Sequence, residues 1–307
     1  MKEKASSFFK TVQDQISKAV EAADGRASFQ EDLWIREETS SSGTTMEGGG
    51  GRSRVLSGGA ILERAGVNFS EVNGNLAAEM CQKLVGRNEQ LPFYATGVSL
   101  VFHPLSPMVP TVHANFRYLE VGEKKWFGGG TDLTPYVLFE EDAVHFHQSL
   151  KNICDKHELA DYQSFKKACD QYFYLPHRGE HRGIGGVFFD YLGRDNDIQP
   201  EAVFDFVKEM ALGFNDCYLP IVEKRTGLDY GKRERDFQLL RRGRYVEFNL
   251  IHDRGTQFGL RTGGRTESIL MSLPPLVSWE YNHQPEAGSA ESRLLEVLSR
   301  PKDWLMS

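Results

Sequence analysis

Three polar residues with period two, His113, Asn115 and Arg117, share one face of the segment TVHANFRYLEV at 111–121. Val112, Ala114, Phe116 and Tyr118 form the other face. Strict alternation of this kind reads as a strand. His, Asn and Arg in one row present a proton carrier, an amide and a guanidinium. That set suits a ligand bearing carboxylates, which a guanidinium pairs bidentately. A plain solvated strand face gives the same pattern, and alternation alone does not decide between them. A second cluster is His252-Asp253-Arg254-Gly255, followed by GLRTGGRTES. There Gly263, Gly264 and Arg265 offer backbone amides and a cation to an anion, while Asp253 to Gly255 also fits a tight turn. A third is Trp126 to Pro135, WFGGGTDLTP. Its glycine triplet permits either close backbone approach to a flat ligand or a bulged strand end.

Other chemistries lack their signatures. His145 and His147 lie two apart on an expected helix, so they diverge by about 200 degrees and do not share an ion easily. His103, His113, His147 and His177 are metal candidates only if the fold brings them together. The sequence has no His-Glu-x-x-His, no Gly-x-Ser-x-Gly elbow and no Cys-x-x-Cys pair. The Ser, Thr and Gly-rich stretch at 38–60 contains no phosphate-cradling Gly-x-x-x-x-Gly-Lys motif, and it reads as a flexible loop.

The elements that must position these residues follow from periodicity. Strands are expected at 96–103, 111–121, 185–191, 244–251 and 256–261. The first two are joined by a short loop with three prolines (PLSPMVP), too short for a crossover helix, so they form an antiparallel hairpin. Helices are expected at 5–23, 140–157, 161–173, 200–225 and 288–299. No composition break divides the chain. The fold class is α+β: a single domain over 1–307 with a large, mostly antiparallel sheet covered by helices.

Composition narrows the partners. The 307 residues include 36 Lys plus Arg against 43 Asp plus Glu, a formal net charge of -7, which disfavours a nucleic-acid binder. Charge is uneven, however. Residues 225–265 hold ten cationic and five anionic side chains, and the rest of the chain holds 26 against 38. No apolar run is long enough for a membrane span, and the N-terminal segment has no targeting character, so a cytoplasmic protein is expected.

The segments GVSLVFHP, PTVHANFRY, WFGGGTDLTPY, FEEDAVHFHQ, YFYLPHRGEHRGIGGVFFD, RRGRYVEFNLIHDRGTQFGL and TGGRTESILMSLPP resemble, in order, those of oxygen-dependent coproporphyrinogen III oxidases, from about residue 30 to 305. The resemblance implies conversion of two propionates of coproporphyrinogen III to vinyl groups, giving protoporphyrinogen IX, with molecular oxygen as co-substrate and no cofactor or catalytic metal required. It implies His113 as proton donor, Ser99, Asn115, Phe116, Arg117, Gly263, Gly264 and Arg265 as substrate contacts, and Asp253 on the pyrrole N–H groups with Arg254 beside it. It also implies helical layers on both faces of the sheet and a homodimer with contacts within 242–277. A non-catalytic tetrapyrrole carrier and a metal-dependent carboxylate-processing enzyme are the alternatives.

Overall fold

The computed structural model describes residues 1–36, 39–41, 43–195, 198–261 and 263–306. The chain opens with α1 (Lys2–Asp24), which leads into β1 (Gln30–Ile35), β2 (Thr39–Ser41), β3 (Thr44–Ser57) and β4 (Leu62–Leu76). Then come α2 (Ala78–Val85), β5 (Leu91–Pro104), β6 (Thr111–Val121) and β7 (Lys124–Thr134). Next are α3 (Glu140–Cys154), α4 (Tyr162–Tyr172), the short pair β8 (Tyr174–Leu175) and β9 (Glu180–His181), and β10 (Gly186–Leu192). The last part is helical: α5 (Pro200–Leu212), α6 (Phe214–Arg225), α7 (Lys232–Glu247), a π-helical turn (Phe248–His252), α8 (Arg254–Arg261), α9 (Thr266–Leu270) and α10 (Ala290–Ser299).

One antiparallel sheet in the order β1-β3-β4-β5-β6-β7-β10, with β2 on β3, runs through the molecule. Its inner face carries Val98, Leu100, Phe102, Val112, Ala114, Phe116 and Tyr118, all buried with Phe9, Val12, Ile16 and Val20 of α1 and the apolar stripes of α3, α5 and α6. The opposite face carries Ser99, His113, Asn115 and Arg117 and lies under the α8–α9 segment. The expected hairpin at 96–121, the strand at 185–191 and the single-domain α+β architecture are therefore present.

Four expectations fail. Most of the stretch at 38–60 is strand, not flexible loop: β3 pairs with β1 on one side and β4 on the other. Its glycines hide a close packing, because a Cβ at Gly51 would sit 2.2 Å from Cζ2 of Trp34. The expected strands at 244–251 and 256–261 are helical. Helix α7 buries Arg241 and Arg242, which pair with Glu180 and Glu63, so its buried face lacks an apolar stripe to read. The expected helix at 200–225 is two helices that meet at Gly213.

The end of α1 is tied to the β3–β4 turn by Asp24. Its carboxylate accepts the backbone N–H groups of Ala27, Ala60, Ile61 and Leu62 at 2.8–3.1 Å. Burial works to raise its pKa, but these donors outweigh it and hold the carboxyl below its usual range. The contribution is thus present above the unfolded value near pH 4 and is lost as pH falls through the folded one. Asp24→Ala is expected to cost about 3 kcal/mol in urea unfolding, and an unchanged midpoint would contradict this role.

Four cysteines, Cys81, Cys154, Cys169 and Cys217, are buried as free thiols. Burial raises the pKa of each, that of Cys154 and of Cys217 to about 12. Among the described residues no helix is long and apolar enough to cross a membrane.

Candidate active site

The cleft lies between the polar face of the sheet and the α8–α9 segment. Strand register builds its floor: Ser99 sits opposite Asn115, His113 opposite Asp132, Asn115 opposite Gly130 and Arg117 opposite Gly128. Asp253, Thr256, Ser268 and Ser272 form the roof, and Tyr172, Phe173 and Phe188 form a wall. Two contiguous cavities of about 260 and 710 Å³ share Asn68, Ser99, Asn115, Arg117, Tyr172 and Gly255 as lining. Their combined size falls in the range of sites for large organic ligands.

The first polar unit runs from the cleft into the core. His113 Nδ1 lies 2.8 Å from Asp132 Oδ1. Arg182 holds Asp132 through Nη2, at 2.9 Å to Oδ1 and 2.8 Å to Oδ2, and donates from Nη1 to Asn249 Oδ1 at 3.0 Å. Asp132 and Arg182 are each 2% exposed, and the guanidinium lies 4.0, 4.4 and 4.8 Å from the ring centroids of Phe173, Tyr245 and Phe248. Burial alone would push the Asp132 carboxyl up; the Arg182 charge and the His113 hydrogen bond outweigh it and keep the carboxyl ionised. An ionised Asp132 accepts from Nδ1–H, which fixes the His113 tautomer and leaves Nε2 as the nitrogen free to exchange a proton.

In the second unit, Arg117 donates from Nη2 to Asp190 Oδ2 at 2.8 Å and from Nη1 to Asn115 Oδ1 at 3.0 Å. Arg254 lies 3.9 Å from the same Asp190 oxygen, with its guanidinium over the Tyr172 ring. The glycine triplet is the condition for this arrangement, since a Cβ at Gly128 would lie 2.6 Å from Asp190 Oδ1.

Asp253 forms the third unit. Its Oδ2 accepts the Thr256 backbone N–H at 2.6 Å, capping α8, and its Oδ1 accepts from Tyr172 OH at 2.8 Å. Burial, together with the Asp253 charge, pushes the Tyr172 phenol up to about 12. A carboxylate has about four acceptor sites, so two bonds leave capacity for ligand donors.

The sequence-predicted residues do not all converge. Ser99, His113, Asn115, Arg117, Asp253 and Arg254 line the two cavities. Phe116 does not: its side chain lies on the inner face, fully buried in the core. Gly263, Gly264 and Arg265 sit at the far end of the roof; Arg265 pairs with Asp32 of β1 and donates to Ser268 at 3.1 Å, while Gly263 accepts from Arg36 at 2.7 Å.

The four candidate metal histidines are dispersed. His103 Nε2 donates to Ser272 O, and His147 Nε2 donates to Ile184 O, so their Nδ1 atoms accept from Thr111 and Tyr162. Burial lowers both, His103 to about 3 and His147 to about 4, with the Arg242 charge adding to the effect at His103. His177 pairs with Glu247 and His252 at the surface. Among the described residues no cluster of His, Cys, Asp or Glu is placed to hold a metal ion.

The basic segment at 225–265 also works differently from its count. Arg225, Arg233, Arg235, Arg241 and Arg242 pair with Asp142, Glu291, Glu63, Glu180 and Glu63, so most of its excess balances carboxylates elsewhere in the fold. Sequence reasoning missed Asp132, Arg182, Asp190 and Tyr172. Only the register of β6 on β7 exposes the first of them, because Asp132 lies directly across from His113.

A deep cleft on an antiparallel sheet, with arginines beside an oriented histidine and an acceptor carboxylate, belongs to the class of enzymes acting on a large carboxylated ligand. The model of the coproporphyrinogen III oxidase family matches residues 4–304, and the chain belongs to that family. Its reaction is the oxidative decarboxylation of coproporphyrinogen III in haem biosynthesis.

Proposed function

We propose that coproporphyrinogen III lies in this cleft with its pyrrole N–H groups on Asp253, a reacting propionate at Arg117, and His113 exchanging protons through Nε2. Molecular oxygen is the co-substrate, and no organic cofactor or metal is required. The observation that carries the reading is that Asp253 and Arg117 face one continuous cavity from opposite layers. Oxygen is the two-electron oxidant. The C–COO⁻ bond breaks to release carbon dioxide, and its electron pair forms the vinyl double bond. The neighbouring carbon loses a hydrogen with its bonding pair to oxygen, and one further proton completes hydrogen peroxide. Asp253, by accepting from the pyrroles, enriches the ring in electrons and stabilises positive charge that develops there. Arg117 holds the carboxylate in place until it leaves.

Arg254 beside Arg117 supplies a second cation, and Arg265 near the roof, paired with Asp32, a third, with Gly263 and Gly264 beside it. A homodimer using residues 242–277 is supported by the exposed Leu250, Ile251, Leu260 and Leu276 in that range. Placement in the cytoplasm is supported by four unpaired buried thiols, which suit a reducing compartment. The test is incubation of the protein with coproporphyrinogen III in air and under anaerobic conditions, with protoporphyrin read by fluorescence after oxidation. Product is expected only in air. No product in air would overturn the reading, and equal product without oxygen would remove oxygen from it.

A further inference from the structure

The carboxylate of Asp190 stands where a ligand carboxylate would stand. It lies in the cleft, bonded to Arg117 and 3.9 Å from Arg254. Two local features exist to put it there. Strand β10 breaks register with β7 between Phe189 and Leu192, and inside that irregularity Tyr191 adopts φ 57°, a left-handed conformation unfavourable for a tyrosine. The strained residue donates its own N–H to Asp190 Oδ1 at 3.0 Å and fixes the carboxylate. Across the strand, only a glycine at 128 leaves space for it. Strain of this kind persists where the rest of the structure imposes it, and it marks functional positions.

The consequence is electrostatic. Arg117, Arg254 and Asp190 together carry one net positive charge rather than two. Each terminal nitrogen of Arg117 has two N–H groups and commits one, to Asp190 or to Asn115. The remaining pair accommodates a single ligand carboxylate. A second carboxylate at this end would face Asp190, whose charge Arg117 and Arg254 already share, and like-charge juxtaposition is a strong rejecting element.

We propose that Asp190 is a specificity-determining residue that limits this end of the cleft to one carboxylate, selecting porphyrinogens with a lone propionate on the anchored pyrrole over more highly carboxylated ones. The proposal rests on the placement of a propionate at Arg117 given above. It is tested by measuring kcat/KM for a tetracarboxylate and a pentacarboxylate porphyrinogen with wild type and Asp190→Asn. The Asn side chain keeps the shape and an acceptor for Arg117 but removes the charge. The preference for the tetracarboxylate is expected to shrink roughly tenfold, with KM for the tetracarboxylate falling as well. A purely structural role would change both substrates in proportion, and an unchanged ratio overturns the proposal. Asp190→Ser reads the same ratio in case the Asn variant is unstable. Equilibrium binding of the oxidised, unreactive tetra- and octacarboxylate porphyrins gives the preference without turnover. Failure of the wild type to make vinyl product in air would count against the function itself; an unchanged ratio in an active enzyme counts only against Asp190.

Discussion

Asp253→Ala is expected to lose turnover of coproporphyrinogen III by about 10²–10³-fold, the scale seen when an electrostatic group aimed at developing charge is removed. Asp253 has two functions in the structure, and the variant touches both. It caps α8 through the Thr256 N–H and it faces the cleft beside Tyr172. Losing the cap costs about 1 kcal/mol of stability, far too little to unfold a domain of this size. Asp253→Asn separates the two functions, because asparagine caps as well as aspartate but carries no charge. The Asn variant should therefore melt like wild type and turn over almost as poorly as Ala. Protoporphyrin fluorescence after oxidation gives the rate, and thermal unfolding gives the stability. Near wild-type turnover in Asp253→Ala would sink the assigned role.

The largest effect on stability is expected from Arg182→Ala, about 3–5 kcal/mol in urea unfolding, because removing one member of a buried pair leaves the other charge unpaired. Arg182 touches three aromatic rings and both oxygens of Asp132, so its loss also opens a void lined by Phe173, Tyr245 and Phe248. The pH dependence identifies the cause. The folded pKa of Asp132 lies below its unfolded value, so the stabilisation is complete above about pH 4 and disappears as pH falls through the folded value. Stability measured against pH should show the difference between wild type and Arg182→Ala narrowing in acid. A difference constant down to the acid transition would mean that packing, not the ion pair, dominates.

How much of this was legible in the sequence depended on what kept the pattern clean. The hairpin at 96–121 could be read because its buried face is purely apolar and its other face polar. The row His113, Asn115, Arg117 came with it, together with the chemistry it supports. Helix α7 could not be read, because its buried face holds Arg241 and Arg242 in place of leucines, and YVEFN alternates by accident. Strand β3 was hidden by glycines that Trp34 requires. Phe116 belongs to a motif of site residues, yet period two sends it to the core. Asp132 and Asp190 are ordinary acids in the sequence. One becomes a partner of His113 through cross-strand register and the other a partner of Arg117 through a bulge, and neither relation is local in the chain.

The four buried thiols have a chemical consequence for durability. An enzyme that consumes oxygen and releases peroxide, as proposed here, bathes itself in its own oxidant at every turnover. Thiolates, not thiols, are what peroxide attacks, and attack also needs access. Cys81, Cys154, Cys169 and Cys217 present neither: each is shut inside the fold, and burial keeps each protonated. The packing that stabilises the domain thereby shields it from self-inflicted oxidative wear.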